Sequence, residues 1–381
     1  MTDSGETRTP RGVSRRHMLG TAAALGTALP LGLPAVRALA SPAKPAIAFD
    51  GICHAGSAFS MAAAAAPVPT ADPVPAPAIV GARKKLTVAW NQNALCVSFV
   101  PVAIHGGFFT RHGLDIDLVN FGGSTDQLLE GVATGKSDVA EGMILRWLKP
   151  LENGFDVKLV AGMHGGCSYL VASREAGITD FATLKGKTIG VADFASPDKN
   201  LYSIVLKRKG LDPEHDVEWR QYPTDMMPVA VQKGEIHAYV AGDPLVYLQV
   251  QRSGGKLFRL ASNGTGDFAE RTCCVLGLRG SLLRQDPEAA RAVTMALLEA
   301  CHDVYVNPDR AVEFFSRYAP QSVPTKSLSE MLQSYPYAEQ PIGEAFRRQV
   351  VLYAQELKEA GVLKPSTDPE RYARRITADV T

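Results

Sequence analysis

Neither sign of charge prevails in this chain: 40 lysines and arginines stand against 39 acids, a formal net charge of +1. A nucleic-acid face would need a basic stripe, so no nucleic-acid partner is expected. No basic amphipathic helix offers itself to a lipid surface either. Beyond residue 40 no apolar run approaches the roughly 18 residues that cross a membrane. Familiar catalytic signatures are missing. There is no His-Glu-x-x-His and no Gly-x-Ser-x-Gly, and Gly254-Gly255-Lys256 lacks both the earlier glycine and the following hydroxyl residue of a phosphate loop. No residue is therefore assigned a catalytic role, and no cofactor is expected.

The first forty residues are built for export. Arg15-Arg16 stands directly before an Ala-rich, weakly apolar run, and Ala38-Leu39-Ala40 supplies the small-x-small pattern of a signal-peptidase site. Residues 1–40 thus read as a twin-arginine signal peptide, an address rather than an anchor. The expected location is periplasmic or otherwise extracytoplasmic. Losing this segment removes five arginines and two acids and leaves a net charge of about −2. Residues 41–83, with the alanine run Ala62 to Ala66 and prolines at 67, 69, 73, 75 and 77, read as an extended linker that buries no core. The Asp50-Gly51-Ile52-Cys53 context is not a lipoprotein box, so no lipid anchor is expected.

From Lys84 onward strand and helix patterns alternate, predicting a largely parallel sheet covered on both faces. Strands are predicted at 86–90, 114–119, 137–141 and 156–161, then at 168–172, 188–191, 217–220, 237–241 and 257–261, with a returning strand at 272–278. Single helices are predicted over 97–112, 125–134, 143–153, 198–209 and 225–233, and four more between 286 and 360.

Two stretches carry a resemblance: Ile104-His105-Gly106-Gly107-Phe108-Phe109-Thr110-Arg111-His112-Gly113-Leu114-Asp115-Ile116, and Leu184-Lys185-Gly186-Lys187-Thr188-Ile189-Gly190-Val191. In wording, order and spacing the chain from about 84 to 365 resembles the solute-binding proteins of ABC importers for nitrate, sulfonates, taurine and thiamine precursors. The resemblance implies an α/β, type II periplasmic-binding-protein fold. In it two lobes, 84–170 with 271–381 and 171–270, are joined by two crossover segments matching 168–173 and 271–278. It implies a monomeric receptor that closes on a small solute and hands it to a membrane permease and its ATPase. The alternatives are an enzyme like the thiamine-pyrimidine synthases of this fold, whose cysteine-rich motif Cys273-Cys274 echoes without its further cysteines, or a receptor for a soft metal or thiol.

A ligand in an open α/β sheet sits beyond the carboxyl ends of the strands, which nominates particular loops. Asn91, Gln92 and Asn93 follow the first strand. Gly123, Ser124 and Thr125 open a helix whose bare N–H groups would suit an anion, or serve as plain caps. Glu141, Gly142 and Met143 follow the third strand. In the second lobe Asp193, Phe194 and Ser196 follow strand 188–191, and Asp243 follows strand 237–241, where the family often carries an aromatic residue before its proline. That departure argues against a taurine-like or alkylsulfonate ligand. Glu141 and Asp243, if ionised in the cleft, would favour a cation or zwitterion over an anion.

All six cysteines lie outside the signal peptide. Cys301 in its Ala/Leu-rich helix reads as a small buried hydrophobe. Cys96, His164, Cys167 and one of Cys273 and Cys274 can converge at the back of the site, since period-two geometry turns only one of the pair inward. Such a set could hold a soft metal, bind a sulfur ligand, bridge or simply pack. Its spacing fits no standard zinc pattern, so no metal is expected; His164 and Cys167 are retained as ligand-binding candidates.

Overall fold

The computed structural model describes residues 83–318, 323–337 and 339–381. The expected signal peptide, Cys53 and the linker up to Ala82 lie outside the described residues. None of the described helices is long and apolar enough to cross a membrane.

Two five-stranded sheets are built on one plan. The first receives β1 (Lys84–Trp90), β2 (Leu114–Asn120), β3 (Val139–Met143) and β4 (Val157–His164). The chain then crosses and builds β5 (Ser168–Ser173), β6 (Lys187–Val191), β7 (Val217–Gln221), β8 (Ala238–Gly242) and β9 (Leu257–Ser262), before returning as β10 (Cys274–Arg279). The strand orders are β2-β1-β3-β10-β4 and β7-β6-β8-β5-β9. β10 runs antiparallel to β3 and β4, as β5 does to β8 and β9, whereas β1 is parallel to β2 and β3 and β6 is parallel to β7 and β8. The sheets are thus mixed rather than largely parallel. The physical reason is that β5 and β10 each arrive from the other lobe, without the covering crossover helix that a parallel neighbour requires.

The crossings are also placed differently from the expectation. Residues 168–173 and 271–278 are mostly strand, in different sheets, and the links between the sheets are the short run 165–167 and the longer 263–273. Tyr169 and Leu170, assigned above to the first lobe, pair in the second sheet. The two links do lie side by side. Asn263 N–H donates to the Ser168 carbonyl at 3.1 Å, and Ser168 N–H donates to Asn263 Oδ1 at 2.8 Å.

The helices are α1 (Phe99–His105), α2 (Phe108–Arg111), α3 (Thr125–Ala133) and α4 (Ile144–Glu152) in the first lobe, and α5 (Pro197–Arg208), α6 (Met227–Gln232) and α7 (Leu245–Arg252) in the second. After β10 come α8 (Gly280–Gln285), α9 (Pro287–Val306), α10 (Pro308–Phe315), α11 (Thr325–Gln333), α12 (Gly343–Glu359) and α13 (Pro369–Ile376). The helix expected over 97–112 is three pieces: a 3₁₀ turn at Leu95–Val97, α1 and α2. Gly107, at φ 74°, takes a left-handed conformation that breaks the helix between α1 and α2.

One apolar core lies between the first sheet and α1, α9 and α10, with Phe99, Val102, Val293, Leu297 and Phe315 fully buried. A second joins the lobes: Trp147 and Leu148 of α4, Leu201 and Tyr202 of α5 and Tyr353 of α12 belong to one cluster. Each such side chain contributes about 1.5–3 kcal/mol when withdrawn from water. The second core thus fixes α4 against α5 and sets the separation of the strand ends above them.

Candidate functional site

Where the carboxyl ends of β1, β3 and β8 approach the start of β5, a partly open cavity of about 110 Å³ is lined by both lobes. The first lobe supplies Asn91 at the end of β1, Phe121, Glu141, Gly142 and Met143 of β3, Arg146 of α4 and Cys274 of β10. The second supplies Ser168, Asp198 of α5, Gly242 and Asp243, and Cys167 comes from the first crossing. Glu141-Gly142-Met143 does not follow the third strand; it is that strand's second half. β10 pairs across it, with Leu276 opposite Glu141 and Cys274 opposite Met143, so the ladder extends past the predicted end.

The charges are buried and unevenly matched. Glu141 is 1% exposed and accepts the Asn91 backbone N–H at 3.0 Å. Burial pushes its carboxyl up to about 7, against that hydrogen bond and the nearby Arg146. Arg146 donates to the Gly123 carbonyl at 2.8 Å beneath the Phe121 ring, and its Nε is buried without a partner. Burial lowers its pKa. Asp198 accepts the Ser168 hydroxyl, and burial raises its pKa as well. Asp243 behaves differently from the expectation that it would repel an anion. One Arg259 nitrogen lies 2.8 and 2.9 Å from its two oxygens, and Tyr247 N–H donates to it at 2.9 Å. Burial raises its pKa against the pull of Arg259. The two short contacts nonetheless give this carboxylate its own cation, and little of its charge reaches the cavity.

Of the residues nominated by sequence, Asn91, Glu141, Gly142, Met143, Cys167 and Asp243 meet at this cavity. Gln92 and Asn93 form the adjoining turn, where Gln92 N–H donates to Asn120 Oδ1 and Asn93 N–H to Asn91 Oδ1. Ser124 and Ser196 cap α3 and α5, accepting Gln127 N–H at 3.3 Å and Lys199 N–H at 3.2 Å. Gly123 turns its carbonyl, rather than a donor, toward Arg146. Thr125 and Phe194 line a wider outer opening that shares Arg146 with the cavity. Asp193 lies within electrostatic reach of Arg146, and burial raises its pKa. Sequence reasoning missed Arg146, Ser168 and Asp198. The available signals were a lone cation in the apolar run Ile144-Leu145-Arg146-Trp147-Leu148, and an Asp in the first turn of α5 that reads as routine helix-end chemistry.

The cysteine cluster assembles at the back wall. The Sγ atoms of Cys96, Cys167 and Cys274 and a ring nitrogen of His164 lie within 4.8 Å of one another, all buried. Cys273 sits alongside, its Sγ 3.7 Å from that of Cys167. Cys274 faces the cavity and Cys273 does not line it, as strand alternation requires. The agent of this proximity is β4, which pairs His164 with Cys274 and leads straight into Cys167. Hydrogen bonds from Cys167 and Cys274 bring the Cys96 thiol down to about 7, while the Cys167 thiol is pushed up to about 11. Cys301 stands apart, donating to the Met163 carbonyl at 2.9 Å.

Comparison with known proteins places this geometry. The nitrate import ATP-binding protein NrtC of Synechocystis is 25% identical over 253 residues, covering 58% of this chain and 37% of that protein. The bicarbonate transport ATP-binding protein CmpC of Synechococcus elongatus is 28% identical over 260 residues, with the same shares. The chain thus spans little more than a third of the length of these curated relatives. Among solved structures, the periplasmic aliphatic sulphonate-binding protein SsuA of Escherichia coli superposes with a TM-score of 0.63 at 16% identity, covering 78% of this chain and 92% of that one. The periplasmic nitrate-binding protein NrtA of Synechocystis PCC 6803 gives 0.63 at 14%, covering 77% and 86%. These likenesses establish the two-lobed periplasmic-binding-protein fold. The NMT1-like family matches residues 81–317, well over half of the chain, and this protein belongs to it.

Proposed function

We propose that this chain is the extracytoplasmic solute-binding receptor of an ABC importer, which captures a compact polar solute between its lobes and presents it to a permease and, through that, to the transport ATPase. The observation that carries this reading is the cavity lined by polar groups from both lobes. A solute touching both walls holds the lobes together, and a partner can read that closed form. In this reading residues 1–40 are the twin-arginine signal, 41–83 the linker, and the mature protein acts as a monomer.

The cavity also bears on the class of solute. At about 110 Å³ it falls well below the roughly 300–1,000 Å³ of pockets for drug-sized ligands, which favours a few heavy atoms over taurine or an alkanesulfonate. Arg146 is the cation of the cavity wall, and Asp243 is matched by Arg259. Glu141, whose carboxyl burial pushes up to about 7, can in its protonated form donate a hydrogen bond to a negative group instead of repelling it. A nitrate- or bicarbonate-sized oxyanion therefore fits best, the kind of cargo for which the two curated relatives are named. Calorimetry of the protein against nitrate, bicarbonate, taurine and an alkanesulfonate tests this. Arg146→Met should weaken binding of the preferred anion by about 1.5–3 kcal/mol, the worth of hydrogen bonds to a charged group. Failure of all four to bind, or chemical alteration of the bound molecule, overturns the receptor reading.

A further inference from the structure

We propose that Cys96, His164, Cys167 and Cys274 form a binding site for one thiophilic d¹⁰ metal ion, Zn(II) being the ion that three thiolates and one imidazole suit best. The donors come from four separate places: the 3₁₀ turn after β1, the end of β4, the first crossing and the start of β10. Only the fold brings them together, which is why no zinc spacing is visible in the sequence.

Three observations carry the proposal. The first is compactness. The four donor atoms lie within 4.8 Å of one another, and a tetrahedral ion with Zn–S bonds of about 2.3 Å needs edges of roughly 3.8 Å, so adjustments of about an ångström or less close the site. The second is the orientation of His164. Its Nδ1 lies 2.7 Å from the Gly165 carbonyl, which can only accept, so Nδ1 carries the proton and Nε2 presents a lone pair. That is the outer hydrogen bond with which a metal-binding histidine fixes its tautomer. The third is that Nε2, on a fully buried ring, has no hydrogen-bond partner. Packing alone explains a thiol such as Cys301, which is satisfied by a backbone carbonyl; it leaves the buried imidazole acceptor without a partner.

Binding would displace the three thiol protons to solvent and involves no change of oxidation state. Since Cys96, His164 and Cys274 belong to first-lobe elements and Cys167 to the crossing, the ion would tie the first link between the lobes to the first lobe. Cys96, Cys167 and Cys274 also line the cavity, so the ion would sit in its back wall, and the metal titration needs no solute.

The full chain, reduced with a phosphine and stripped with a chelator, is titrated with Co(II) and then Zn(II). The expected result is one equivalent of Co(II), with the intense ligand-field bands of a tetrahedral site and thiolate-to-cobalt charge transfer, both erased by one equivalent of Zn(II). Cys167→Ser and His164→Ala should each lower affinity by more than the ~10–100-fold that loss of an outer hydrogen-bond partner costs. Cys301→Ser should bind as the unaltered chain does. Circular dichroism checks folding, and Cys96→Ser is a second variant should one of the others fail to fold. A folded, reduced chain that takes up no equivalent overturns the proposal, as does a folded Cys167→Ser or Cys96→Ser variant that binds unchanged. Isolation of the exported protein with a Cys167–Cys273 disulfide also overturns it, since that bond removes a ligand. Solute calorimetry on the metal-free chain is independent of all these outcomes, so the two readings fail separately.

Discussion

Glu141→Gln offers the sharpest test of the electrostatics of the cavity. The carboxyl is 1% exposed and accepts one backbone N–H, a bond the glutamine oxygen can retain. Burial raises its pKa from an ordinary 4.5 to about 7. Because the folded protein holds this proton more tightly than the unfolded chain, the contribution to stability is complete below about pH 4.5. It is lost as the pH rises through 7. A rise of that size corresponds to about 3 kcal/mol. Urea unfolding of the unaltered chain and the variant at pH 4.5, 6 and 8 measures it. The variant should gain about 3 kcal/mol relative to the unaltered chain between the two extremes. Asp193 and Asp198, whose pKa values burial also raises, are common to both chains and largely cancel in the difference. A stability difference that is flat with pH would refute the argument, for it would mean that water reaches Glu141.

Ser124→Ala should cost about 1 kcal/mol of stability through the lost cap of α3, with solute affinity unchanged; denaturant titration and calorimetry on one sample separate the two effects. Gly166→Ala should destabilise by about 1–3 kcal/mol or more, read by thermal unfolding, because a Cβ there would lie 2.2 Å from the Asn263 backbone of the second crossing. Replacing Arg15 and Arg16 by lysine should abolish export of the precursor, as followed by secretion assays, while the protein itself still folds.

The legible part of the fold was what periodicity and turn chemistry encode locally. The strands at 86–90, 114–119 and 188–191 and the helices at 125–134, 198–209 and 286–306 fall within a residue or two of their observed bounds. What went astray depends on partners distant in sequence. β3 runs on through Met143 because β10, over a hundred residues later, pairs with it. The antiparallel entry of β5 and β10 depends on which sheet each joins, which hydrophobic alternation does not specify. The short helices α7, α8 and α13 carry too few turns for a strong periodic signal. At the site, carboxylates and amides in strand-end loops were legible because position alone nominates them. Arg146 and Asp198 were not, since each sits within a helix and turns to the cavity only after α4 packs on α5.

That packing has a consequence for the proposed cycle. Arg146 and Glu141 belong to the first lobe and Asp193 and Asp198 to the second, and each of these groups is shifted toward its neutral form with burial as the leading cause. With the lobes packed together, one guanidinium and three carboxyls are wholly or partly withdrawn from water, a cost that their mutual attraction only partly offsets. A receptor that closed freely without cargo would present its permease with a false signal. The desolvation of these four groups opposes such closure, and an anion that ligates Arg146 while accepting a hydrogen bond from the protonated Glu141 carboxyl relieves it. A solute shifts the equilibrium only by binding the closed form better than the open one. The excess charge buried in this cavity is a source of that difference, and an Arg146→Met/Glu141→Gln double variant should close more readily in the absence of solute. Small-angle scattering of the solute-free protein measures this; an unchanged radius of gyration, in a variant that still folds, would refute it.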